Sequence, residues 1–94
     1  MSQIGTLEVA HESMVVFYDG RTGRIVHTHK VVTFEGGEHP DRKTIERDAL
    51  EQLRRAQPKF TKKPEILHID PRSVDPDKLY KIDPKKRVLV EQRR

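Results

Sequence analysis

An α+β fold is predicted: a mostly antiparallel sheet built from two β-hairpins plus short strands, packed on one amphipathic helix in the order β-β-β-α-β-β-β. Three observations point there. β-Branched and aromatic runs flank a turn at 19–23, an apolar stripe with helical spacing covers 45–56, and two short apolar runs flank Asp83-Pro84. With 94 residues, the chain is read as one domain, 1–94, with a frayed tail at 91–94 and one modest core.

Residues 5–10 alternate apolar and polar side chains, with Leu7 and Val9 on one face, which predicts a short edge strand. Met14-Val15-Val16-Phe17-Tyr18 and the run 24–34 read as two further strands. Between them Asp19 can bond its own backbone, and Gly20 and Gly23 tolerate positive φ, so the pair forms a hairpin. Residues 35–39 break the pattern. Pro40 and Asp41 then suit the first turn of a helix and the positive end of its dipole. Ile45, Ala49, Leu53 and Ala56 share one side of that helix with Leu50 on the flank, and Pro58 marks its end. On the outer side Arg47 with Glu51, and Glu51 with Arg55, have the spacing of ion pairs.

Residues 65–70 form a short, rather buried strand closed by Pro71, and 79–82 with 88–90 form a second hairpin. Asp70, Asp75 and Asp83 each precede a proline, so each initiates or caps a turn. The outlines around Asp19 and Asp83 are alike: apolar, Asp, turn, Arg, then aliphatic residues. Turn chemistry alone produces that likeness.

Composition removes several function classes. Without cysteine there is no disulfide framework, no thiol nucleophile and no Cys-based metal site. No apolar run approaches the roughly 18 residues of a membrane span, so the expectation is a soluble, cytoplasmic protein with no membrane partner. The glycines form neither a Walker loop nor a dinucleotide fingerprint, and no Gly-x-Ser-x-Gly surrounds a serine. The chain is therefore read as non-enzymatic, with no catalytic residues and no cofactor.

The net charge of +4 is unevenly spread: six basic and seven acidic side chains fall in 1–47, thirteen and eight in 48–94. Arg54, Arg55, Lys59, Lys62 and Lys63 lie in the acid-free stretch 53–64, and Lys85, Lys86 and Arg87 lie in the second hairpin's turn. Such cations can bind nucleic acid by releasing counterions from phosphates. They equally suit a solvated loop and the last turn of a helix, and only Phe60 is interleaved as a stacking aromatic.

If Asp19 faces Arg24, the hairpin pairs Tyr18 with Ile25, Phe17 with Val26, and so on to Met14 with His29. Val15, Phe17, Val26, Thr28, Val32 and Phe34 then form one face, with Lys30 as the exception, and cover the helix. Met14, Val16, Tyr18, Ile25, His27, His29 and Val31 form the other. That second face is too apolar for open water, so either the second hairpin covers it or a partner does. His27 and His29, with Glu12 diagonal to His29, sketch a metal set, but two histidines two apart read as amphipathic strand residues and no metal is assigned. The expected function is a small interaction module that docks on a protein or on itself, as a homo-oligomer, through that seven-residue face. Nucleic-acid binding through the basic residues is the alternative.

Overall fold

The computed structural model describes residues 8–60 and 63–92. Its strands are β1 (Val9–Tyr18), β2 (Ile25–Phe34), β3 (Glu65–Ile69), β4 (Tyr80–Asp83) and β5 (Val88–Glu91). The helix α1 (Arg42–Ala56) lies between β2 and β3, and a 3-10 turn (Pro71–Ser73) follows β3. All pairings are antiparallel: β2-β1-β3 form one sheet and β4-β5 a second.

The predicted strand at 5–10 is not a separate element among the described residues. Val9 and Ala10 open β1, and 5–7 lie outside the described residues. The polar triplet His11-Glu12-Ser13, which lies between the predicted strands 5–10 and 14–18, pairs with Thr33, Val32 and Val31, and an irregularity at Ala10 absorbs the change of register. At the other end Glu91 pairs with Tyr80 and the Gln92 N–H donates to Leu79 O (2.7 Å), so the ladder runs past the predicted strand end. Arg93 and Arg94 lie outside the described residues.

The middle strand explains the architecture. Val15, Val16, Phe17 and Tyr18 are all at most 1% exposed, because β1 is covered on both faces. On one face Val15 and Phe17 meet Ile45, Ala49 and Leu53 of α1, with Val26, Val31, Leu50, Phe60 and Ile66 around them. On the other, Val16 and Tyr18 meet Ile82 of β4, with Met14, Ile25, Leu67, Ile69 and Leu89 around them. A continuous apolar run, rather than strict alternation, is what a doubly covered strand requires. Each large side chain withdrawn from water there contributes roughly 1.5–3 kcal/mol.

Asp41 caps α1, its Oδ1 accepting the Thr44 N–H at 2.8 Å, and that backbone bond holds its carboxyl below the usual range. The apolar stripe buries Ile45, Ala49 and Leu53, while Ala56 is exposed. Arg47 pairs with Asp48 (3.6 Å) instead of Glu51.

All four expected aspartate turns form. Asp19, Asp70, Asp75 and Asp83 each accept, on Oδ1, the N–H of the residue two ahead. The two hairpin loops are built alike: the Asp19 and Asp83 carbonyls accept from Gly23 and Arg87, four residues on, at 2.8 and 2.7 Å. Gly23 and Arg87 both have positive φ, +79° and +56°. The two loops meet different surroundings. A Cβ on Gly23 would lie 1.8 Å from Ile82 O, and the Ile82 N–H donates to Gly23 O at 2.9 Å, so the first loop is docked backbone to backbone on β4.

Candidate functional site

The hairpin register decides where the candidate interaction residues lie. Tyr18 pairs with Ile25 as expected, but a bulge follows, and Phe17 pairs with His27, Val16 with Thr28 and Val15 with His29. One extra residue transfers the rest of β2 to the opposite face. The seven expected residues therefore do not share a face. Met14, Val16, Tyr18 and Ile25 lie under β4–β5, while His27, His29 and Val31 turn toward α1. The second hairpin supplies the cover for the first group. Thr28, Val32 and Phe34, expected to face the helix, lie on the open face instead, together with Lys30.

The histidines are likewise redistributed. His27 packs over Phe17, ring centroids 6.3 Å apart, and its Nε2 is buried without a hydrogen-bond partner. Burial, and next the nearby His29, lower its pKa from the ordinary imidazole value. Glu12 is on the other face, ion-paired to Lys30 at 3.4 Å, so the histidine–carboxylate set does not assemble. Among the described residues no group of three or more potential metal ligands gathers.

Sequence reasoning missed His39, which it left near a loop. Its Nε2 meets Ser13 Oγ and its Nδ1 meets Thr33 Oγ1, both at 2.7 Å. The order is that of nucleophile, base and orienting group, and its members come from β1, the 35–41 segment and β2, which it fastens together. The contacts span 26 and 6 residues, and no local pattern signals them. His39 also lines an open groove of about 630 Å³ with Ser13, Asp41, Arg42, His68 and Arg72, where His68 Nε2 meets Glu46 Oε2 at 2.5 Å.

β4–β5 covers the sheet only near the loop end of the β1–β2 ribbon. At the far end Val9, Val32 and Phe34 remain 48, 37 and 45% exposed on the open face. Glu8, Glu35 and Glu38 stand around them, all exposed, and no lysine or arginine occurs in 8–13 or 31–41. Glu8 O accepts the Glu35 N–H at 2.8 Å, which holds this tip closed.

The opposite end is basic. Arg54, Arg55, Lys59, Lys63, Lys85, Lys86 and Arg87 are all exposed; Lys62 lies outside the described residues. Two hydrogen bonds gather these segments. Gln57, between the helix arginines and Lys59, donates its Nε2 to Val26 O at 2.9 Å, and Arg87 Nη2 donates to Ile66 O at 2.7 Å, just after Lys63. Arg21, Arg24 and Lys81 lie at the same end, since the first loop rests on β4. Among the described residues the close ion pairs of lysine and arginine involve Lys30, Arg47, Arg72 and Lys78, none from either basic group. Asp83 turns its carboxylate into its own loop, and N–H bonds, that of Lys86 first, hold it below the usual carboxyl range. Cations thus gather at the loop end, with Glu65 and Asp83 among them, while the ribbon tip carries Glu8, Glu35 and Glu38, in a body measuring 54 × 29 × 21 Å.

Comparisons with protein-family models, curated proteins and solved structures find no match to this chain. No helix among the described residues is long and apolar enough to cross a membrane.

Proposed function

We propose that this chain is a small, non-enzymatic, cytoplasmic interaction module that self-associates or docks on a protein partner through the bare end of its sheet. The observation that carries this reading is the clustered exposure of Val9, Val32 and Phe34 on one face. The apolar surplus read from the sequence has two fates: β4–β5 shelters Met14, Val16, Tyr18 and Ile25, and the ribbon tip remains for a partner. Aromatic residues, phenylalanine included, are enriched in the cores of protein interfaces relative to the rest of the surface. The deciding experiment is the native mass of the chain, with amide exchange at the tip, for the wild type and Phe34→Ser. The expected result is a mass above monomer and slow exchange around Val32, both lost in Phe34→Ser. A monomer whose tip exchanges freely and ignores the substitution overturns the reading.

Nucleic-acid binding is the second reading, favoured by the meeting of both expected basic groups at one end. It requires affinity for an oligonucleotide duplex at ~50 mM salt that falls steeply as salt rises. Absence of binding at that salt removes it.

A further inference from the structure

The chain carries a second bare apolar patch, and its rim has the opposite sign. On β4–β5 the Ile82–Leu89 pair faces the sheet, so Lys81 with Val90, and Asp83 with Val88, face outward. Val88 and Val90 are 46 and 36% exposed, and Lys81, Lys85 and Lys86 surround them. A shallow groove of about 430 Å³ opens there, lined by Thr22, Lys81, Ile82, Pro84, Lys85 and Val90, and by Asp83, whose carboxylate is taken up by the Lys85 and Lys86 N–H groups of its own loop.

We propose that copies of this chain join head to tail, the acidic ribbon tip of one seating Phe34 in the basic groove of β4–β5 on the next. The inference rests on the reading of the tip as a docking surface and names its occupant. Charge complementarity selects the pairing. Tip against tip sets Glu8, Glu35 and Glu38 against their own copies, and groove against groove does the same for Lys81, Lys85 and Lys86, each a like-charge contact that costs affinity. Tip against groove brings carboxylates to ammonium groups, and the aromatic ring enters a groove with aliphatic and lysine walls. Because the two surfaces differ, the contact is heterologous, and every open assembly retains one unused tip at one end and one unused groove at the other. Assembly continues into a filament, or into a ring if the rotation closes. Exposed charges at the rim make the contact sensitive to salt.

The test is sedimentation of nuclease-treated protein over a range of concentrations at ~50 and ~500 mM salt, with two variants, Phe34→Ser in the tip and Lys85→Glu/Lys86→Glu in the groove rim. Wild type is expected to at least double its mean mass at high concentration and low salt and to return to monomer at high salt. Each variant alone stays monomeric. Mixed one to one, the variants form a pair and nothing larger, since one supplies an intact groove and the other an intact tip. Circular dichroism of each variant confirms that it is folded. Adding Glu35→Lys/Glu38→Lys to the groove variant restores assembly. If Phe34→Ser abolishes assembly and the groove variant does not, the head-to-tail contact is wrong while the docking tip stands. Wild-type monomer at every concentration, with tip amides that exchange freely, overturns both. Monomeric wild type that binds an oligonucleotide through Lys85 and Lys86 assigns the groove to nucleic acid and overturns the inference.

Discussion

The two ends of the β1–β2 ribbon are made from the same two strands and live in different surroundings. At the loop end, α1 covers one face, β4–β5 covers the other and β3 pairs along the edge; Val15 to Tyr18 have essentially no solvent contact. At the tip, among the described residues, β3 does not pair beyond Met14; Val9, Val32 and Phe34 stay exposed on the open face, and His39 fastens the ribbon through two hydroxyls. Stability is therefore concentrated at the loop end, whose outer β4–β5 surface is carried on a packed core, whereas the surface exposed at the tip sits on a thinly supported ribbon, the kind of segment that opens locally at low cost.

The largest expected effect is Gly23→Ala. Its methyl group would overlap Ile82 O and the residue would be held at positive φ, so the loop must leave β4. A loss of several kcal/mol, on the order of half the stability of a small domain, is expected from urea denaturation. A wild-type midpoint would show that the docking of the loop on β4 is dispensable. Next is Ile82→Ala, which empties the centre of the upper cluster and costs about 2–5 kcal/mol. By contrast Phe34→Ala at the tip is expected to stay within about 0.5 kcal/mol of wild type in the monomer, and equal effects from these two would erase the distinction between the ends.

His39→Ala comes third, at about 1–3 kcal/mol for two hydroxyls losing their partner. Its signature is regional: amides of β1 and β2 near Ser13 and Thr33 exchange faster, and those near Phe17 do not. The smallest effect concerns pH. Burial, and next the nearby His29, lower the pKa of His27, so around and below the ordinary imidazole value of about 6.5 that position binds more protons in the unfolded chain than in the folded one. Stability therefore declines as pH falls from the unfolded value toward the folded one, and His27→Gln flattens the slope of the urea midpoint between pH 7.5 and 5.5.

Much of this was legible because the signals are local. The helix follows from the spacing of Ile45, Ala49 and Leu53, and the turns follow from aspartates bonding nearby N–H groups. The bulge beside Val26 was not legible, since a β-branched residue in a strand looks the same whether or not it is bulged. That single residue moved His27, His29 and Val31 to the helix side and carried Val32 and Phe34 to the open side. The His39 contacts depend on chain segments brought together only by folding. The basic groups were visible as runs, but their meeting required the bonds from Gln57 and Arg87.

The separation of sign along the body changes how the protein meets any charged material. Two ten-residue strands at about 3.3 Å per residue keep the acidic tip some 30 Å from the basic loops, well beyond a Debye length of about 8 Å in physiological salt. Each extremity therefore acts as an independent ion exchanger. Resins of either polarity will retain the molecule at low salt, one gripping its carboxylates and the other its ammonium groups, whatever the sign of the whole.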